Sequence, residues 1–374
     1  MISLDRIFPF LTWRSRVNQS SLRDDLIAAF IGAMIVLPQG VAFATLAGMP
    51  PQYGLYAAMV PAVIAALWGS SWHLVSGPTN AISLVTFAIV STLAEPGSER
   101  YIQFVLTLTF MVGLMQLAMG VARLGTIVNF ISHTVIVGFT AGAALLIISS
   151  QIKNFFGLDI PRGTSFFQVF EFLFTNLLNI KPWVFAVSMI TLLTGIIFKK
   201  WIPKIPYMIA AMLIGGLSAW LLNKTYGQDV TGIKTLGALP GALPPISIPQ
   251  FDMETIRTLI GAAIAVTALA LTEAVAIARS LAVKSGQRID GNQEFVGQGL
   301  SNIAGAFFSA YPSSGSFNRS GVNYEAGAKT PLAAVLSVPF LITILFFVAP
   351  LAAYLPIASM AAILFLVAWG LFDF

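Results

Sequence analysis

The chain has 374 residues, of which 57% are apolar and 9% charged, with 29 Phe, 31 Gly, 20 Pro and a mean hydropathy of +0.85. A soluble domain carries about 25% charge and cannot bury so much apolar surface, whereas a bilayer solvates it, so a polytopic membrane protein is expected. Cys is absent and the two His, at 73 and 133, are far apart, which excludes disulfide frameworks, thiolate chemistry and a His-rich metal cluster. No cofactor or metal is expected. The net charge of +5 comes without a basic stripe interleaved with aromatics, so nucleic acid is not an expected partner.

Residues 1–25 mix Arg6, Arg14, Arg16 and Arg23 with three Asp and read as a cytosolic lead-in, not a cleavable signal. Apolar runs then follow at 26–46, 53–68, 79–94, 101–121, 133–151, 183–198, 205–223, 259–282, 292–309, 317–328, 332–349 and 356–373, predicting twelve helical elements. The third and tenth are too short or too polar to cross a hydrocarbon core that needs about 20 apolar residues. Each opens on a break, Ser76-Gly77-Pro78-Thr79 before the third and Tyr311-Pro312-Ser313-Ser314-Gly315-Ser316 before the tenth. Such breaks persist at membrane depth only where backbone is buried in protein or lines a cavity, and in matching positions of two halves they mark a transporter-like binding site. Ordinary loop punctuation is the competing reading.

The third place in each set implies a seven-plus-seven inverted repeat: segments 1–7 over 26–223, an extracytoplasmic loop over 224–258, and segments 8–12 over 259–374. Two elements are then missing after Phe374, so the chain reads as a fragment with about twelve of fourteen elements. The two short helices are expected to meet at mid-membrane. With that alternation, Arg6, Arg14, Arg16, Arg23, Arg123, Lys199, Lys200, Lys204, Arg279, Lys284, Arg288 and Lys329 fall on the side of the N-terminus, twelve of the twenty basic residues. The other side receives Arg100, Lys153, Arg162, Lys181, Lys224, Lys234 and Arg257, and Arg319 belongs to neither. Positive loops lie inside, which predicts a cytosolic N-terminus in a cell membrane, the inner one if the source is bacterial. The Phe-rich run 164–180 reads as an interfacial or short re-entrant helix.

A helix N-terminus presents unpaired N–H groups and about half a positive charge, which makes it an anion receptor. Thr79 or Asn80 is a candidate cap for the third element, after Pro78, and Ser316 or Asn318 for the tenth. Arg319 falls in the first turn of the tenth, adding a full charge where an Arg costs from about 3 to more than 10 kcal/mol unless it meets water, a partner or a substrate. Glu273 is the one acid in the apolar span from Leu259 to Ala278; a carboxylate so placed is held either by a proton or by a counter-ion, and Arg319 is the available one. On segment 1, Pro38 frees backbone groups beside Gln39 and Phe43, which lie one turn apart on a common face.

The stretches LPQGVAFATLAGMPPQYGLYAAMVPAVIAALWGSSWHLVSGPTNAISLV at 37–85 and GQGLSNIAGAFFSAYPSSGSFNRSGVNYEAGAKTPLA at 297–333 resemble the SulP family, the solute carrier family 26 anion transporters. The resemblance implies a seven-plus-seven fold with core and gate domains, binding sulfate, bicarbonate, chloride or dicarboxylate between the N-termini of segments 3 and 10. It places Gln39, Phe43, Thr79, Asn80, Ala81, Ser316, Phe317, Asn318, Arg319 and Glu273 around the substrate, and the buried carboxyl group of Glu273 makes it the expected proton-coupling residue. Many relatives have Ser at position 318. Sodium-coupled bicarbonate members have Asp at position 273 and Thr one turn later, where this chain has Ile277, so sodium coupling is not expected; the proton is the expected coupling ion. The family's last two helices and its cytosolic STAS domain, which helps to hold its homodimers, have no counterpart here.

The function expected is secondary active transport of a small anion by alternating access, not an enzyme activity. An anion channel or exchanger of the same fold and a nucleobase–proton symporter of related architecture are the alternatives; Arg319 argues against the second. A membrane-embedded enzyme lacks a ligand cluster or nucleophile–base pair to support it.

Overall fold

A computed structural model describes residues 8–125, 133–161, 164–202, 207–237, 243–352 and 354–370. Arg6, Arg162 and Lys204, three of the charges used above to assign sidedness, lie outside the described residues. In chain order the helices are α1 (Phe10–Arg14), α2 (Gln19–Leu46), α3 (Gln52–Tyr56), α4 (Val60–Trp68), α5 (Asn80–Val90), α6 (Glu99–Val121), α7 (His133–Phe156) and α8 (Phe166–Thr175). They continue with α9 (Pro182–Trp201), α10 (Tyr207–Tyr226), α11 (Gln228–Thr231), α12 (Met253–Ser285), α13 (Gly291–Phe307), α14 (Phe317–Glu325), α15 (Leu332–Ala352) and α16 (Ile357–Trp369). Two two-residue strands, β1 (Ser76–Gly77) and β2 (Ser314–Gly315), complete the inventory. Each of the twelve predicted runs has a helical counterpart, and among the described residues α2, α6, α9, α10 and α12 are long and apolar enough to cross a membrane.

Local chemistry explains where boundaries differ from the apolar runs. Helix α2 starts at Gln19 and not near 26 because Asn18 Oδ1 accepts the N–H groups of Ser20 and Ser21 at 3.0 Å each, while Ser21 Oγ accepts the Asn18 N–H at 2.9 Å. This capping box satisfies donors that the polar first turns would otherwise leave open. Asp252 does the same for α12, accepting the Thr255 N–H at 2.8 Å, so that helix begins six residues before the predicted 259. The predicted run 53–68 divides into α3 and α4, with Pro61 at the start of the second, where a missing N–H costs nothing. The Phe-rich run forms α8 and a 3₁₀ turn at Leu177–Asn179, with Phe167 and Leu178 exposed.

The chain folds into two compact units, one of residues 1–132 and 242–346 and one of 133–241 and 347–374. In the first, the core is built on α6 and α12, where Tyr101, Leu108, Val112, Leu259 and Val266 are fully buried with Tyr311. Helix α6 lies along α13 so closely that a Cβ on Gly113 would stand 2.5 Å from the Ile303 nitrogen, so the crossing needs glycine there. The second unit packs α7, α9, α10 and α16 together, with Phe155 stacked on Phe365 at 4.6 Å and a Thr191–Ser359 hydroxyl pair at 2.8 Å.

Candidate functional site

The two breaks in the sequence come together in the first unit. Strands β1 and β2 pair antiparallel, Ser76 opposite Gly315 and Gly77 opposite Ser314, and the Ser316 N–H donates to the Val75 carbonyl at 3.0 Å. Each strand runs directly into a short helix, so the ladder sets the N-termini of α5 and α14 on either side of one short piece of sheet. The caps are the residues that local chemistry favours. Thr79 Oγ1 accepts the Ile82 N–H at 3.4 Å, and Ser316 Oγ accepts the Arg319 N–H at 3.5 Å. The N–H groups of Asn80, Ala81, Phe317 and Asn318, in the first turns, have no partner within their own helices, and the two dipoles add partial positive charge at the same place.

Arg319 reaches from α14 across the ladder. Its Nη2 donates to the Pro78 carbonyl at 3.0 Å, at the entrance to α5, while Nε and Nη1 are buried without a hydrogen-bond partner. The guanidinium lies over Gly77, where a Cβ would come within 2.7 Å of Nη1 and 2.8 Å of Nη2. Gly77 also has φ +148°, so this position excludes other residues twice over. Arg319 is only 3% exposed, and a buried cation with two open donors calls for an acceptor that carries negative charge.

Glu273 on α12 is partly buried and accepts the Thr79 hydroxyl proton at 3.0 Å through Oε2, and Ser314, whose hydroxyl donates to the Ala270 carbonyl at 2.7 Å, stands beside it. The carboxylate therefore orients the hydroxyl that caps α5. The Glu273–Arg319 ion pair weighed from sequence does not form: Arg319 Nη2 donates to the Pro78 carbonyl, and Glu273 Oε2 accepts from Thr79. Arg319 stays within electrostatic reach of Glu273, but the nearer carbonyl of Pro78 takes its donor.

The remaining expected residues divide by exposure. Gln39 and Phe43 are buried at 1% and 2%, on the helix α2 that packs against both α5 and α14, and Pro38 sits within that helix without ending it. Asn80 and Ala81 are buried in the first turn of α5, and Asn80 Oδ1 has no hydrogen-bond partner. Asn318 is half-buried and Phe317 is 63% exposed, so the aromatic ring is not part of the buried cluster. Sequence reasoning passed over the polar residues of α13. Glu294, Gln298 and Asn302 recur every fourth position in an apolar run, a signal that was available, and all three are buried.

Comparison with known proteins follows the same lines. The model of the sulfate permease family matches residues 22–374. A chloroplastic sulfate transporter 4.1 of Arabidopsis thaliana is 33% identical over 99% of the chain and 54% of its own length. A probable sulfate transporter of Mycobacterium tuberculosis is 34% identical over 87% of the chain and 57% of its own length. The chain thus spans about half the length of the curated relatives it matches. Among solved structures, the transmembrane domain of the cyanobacterial bicarbonate transporter BicA aligns with a TM-score of 0.86 at 26% identity, covering 96% of this chain and 91% of that one. SLC26A9 aligns with a TM-score of 0.89 at 22% identity over 99% of this chain and 61% of that one, which speaks to the fold alone. The architecture is that of a seven-plus-seven inverted-repeat transmembrane domain.

Proposed function

This chain belongs to the sulfate permease family, and from that premise we propose that it binds a small oxyanion or carboxylate, with sulfate the first choice, at the paired ends of α5 and α14 and carries it across the membrane. One observation carries the reading: Arg319 is buried between two helix N-termini with two of its nitrogens, Nε and Nη1, unpaired. A tetrahedral or planar anion supplies the acceptors that the guanidinium lacks and neutralises charge that a neutral heterocycle would leave standing. The relatives' names, sulfate transporters and a bicarbonate transporter, agree in ligand class.

Transport follows by alternating access, the unit that carries α2, α5, α12 and α14 moving as a body with the anion seated at its helix ends. The N-terminus is cytosolic in a cell membrane, the repeats span 26–223 and 259–374 about the loop 224–258, and the full-length protein acts as a homodimer. Glu273 is the proton-coupling residue: its negative charge opposes an incoming anion, and protonation removes that charge, so anion and proton bind with positive coupling. The test is uptake of radiolabelled sulfate by the full-length protein in proteoliposomes. Saturation and counterflow support a carrier. Ohmic anion currents without counterflow turn the reading to a channel, and uptake of uracil in place of sulfate overturns the anion site.

A further inference from the structure

A two-residue antiparallel ladder is too small to hold its own register. Arg319 on Pro78, the Val75 N–H on Ser320 Oγ at 2.8 Å and α12, through Thr79 and Ser314, tie the two short helices to each other, and the strands themselves need an element that grips both. Helix α13 does so through one polar stripe. Gln298 Nε2 donates to Ser76 Oγ in β1 at 2.7 Å. One turn further, Asn302 Oδ1 accepts the Ser313 N–H at 2.8 Å, and Nδ2 donates to the Ser313 carbonyl at 3.0 Å, closing a two-way clasp on the residue that precedes β2. One turn earlier, Glu294 Oε2 accepts the N–H groups of Ser70 and Ser71 at 3.0 and 3.1 Å, and its Oε1 accepts from Gln298 Nε2 at 3.2 Å. The stripe is anchored from behind by Gln116 of α6, whose Oε1 accepts from Asn302 Nδ2 at 2.8 Å.

We propose that α13 is the positioning element of the anion site, with Gln298 and Asn302 fixing β1 and β2 in register so that the two helix ends and Arg319 stay at the separation an anion requires. The proposal rests on the anion-site reading above. None of the three stripe residues needs to touch the ligand; Gln298 and Asn302 act through Ser76 and Ser313, and Glu294 through Gln298. Their polar groups stand in a membrane-embedded interior, where an unbonded one costs stability; Gln298 Oε1 and Gln116 Nε2 are left without a partner, while the bonds that are made commit α13 to a single rotation about its axis. That rotation faces Gln298 and Asn302 to the breaks and Glu294 to Ser70 and Ser71 ahead of β1.

The experiment uses the full-length protein in nanodiscs, with Gln298→Met, which keeps volume and removes the donor, Ser76→Ala, which removes the acceptor, and the double variant. Because the chain described here has no Cys, nitroxide labels at Ala88→Cys on α5 and Glu325→Cys on α14, both exposed, report the distance between the two short helices without interference from it. Expected are a broadened label distance distribution in either single variant, sulfate binding weakened about five- to ten-fold in each, and no further loss in the double variant. An unchanged distance distribution in folded variants overturns the proposal whatever binding does, and so do losses that multiply in the double variant. If Gln298→Met does not fold, Ser76→Ala decides alone. If the unsubstituted protein binds none of sulfate, bicarbonate and chloride, the anion reading fails, and the label distances still decide whether α13 sets the geometry.

Discussion

Arg319→Met removes the fork that the site presents and keeps an unbranched side chain of similar length. The guanidinium has two buried nitrogens without a partner, Nε and Nη1, and Nη2 donates to Pro78. A hydrogen bond to a charged group is worth about 1.5–3 kcal/mol net, so an anion that engages both open donors loses about 3–6 kcal/mol. At about 1.4 kcal/mol per decade, sulfate affinity should fall by at least about a hundred-fold. The variant also orphans the Pro78 carbonyl, which lowers stability by about 1–3 kcal/mol without unfolding the helical framework. Arg319→Lys keeps the charge but not the planar fork, and falls between the two. Equilibrium binding of radiolabelled sulfate, with thermal melting as the control for folding, measures both terms. Wild-type affinity in a folded Arg319→Met protein refutes the reasoning, because Arg319 is the cation that the described residues bring to the two helix ends.

Ser316→Asp keeps a good cap for α14 while placing a carboxylate at its positive end, so thermal stability should hold while sulfate binding disappears in the same sample. Ala81→Phe puts a bulky ring at a buried position in the first turn of α5 and should abolish uptake while leaving insertion intact, as read by membrane fractionation. Glu273→Gln can still accept from the Thr79 hydroxyl but cannot gain a proton. Wild-type uptake should rise as external pH falls, and the Gln variant should lose that rise and proton-driven accumulation while retaining anion exchange. A full pH response in the variant assigns Glu273 to structure. Gly113→Val forces α6 from α13 at a contact with no room for a Cβ, and should destabilise the protein by about 1–3 kcal/mol or more in a melting experiment.

What the sequence made legible was whatever depends on neighbours along the chain. Thr79 and Ser316 cap their helices because the chemistry of a cap is settled within four residues, and the two short helices follow from length against bilayer thickness. The choice of partner for Arg319 was not legible. It lies between a carboxylate on α12 and a carbonyl in the break before α5, and only the ladder register brings Pro78 nearer. Phe317 shares its first turn with Arg319 but not its burial, since adjacent helical positions face in different directions. The starts of α2 and α12 preceded the apolar runs because Asn18 and Asp252 begin helices in polar sequence, which hydropathy does not register. The stripe on α13 could be seen as a four-residue period, but its meaning came only with Ser76 and Ser313 in contact.

The most direct measurement of the central claim is the position of the anion itself. Selenate has the shape and charge of sulfate and scatters anomalously, so a crystal of the protein grown with saturating selenate fixes its site without reference to uptake. An anomalous peak between the first turns of α5 and α14, within hydrogen-bond distance of Arg319 Nε or Nη1, is the predicted result. A fully occupied selenate site elsewhere in the membrane domain, with the helix ends empty and Arg319 still bonded only to Pro78, contradicts it.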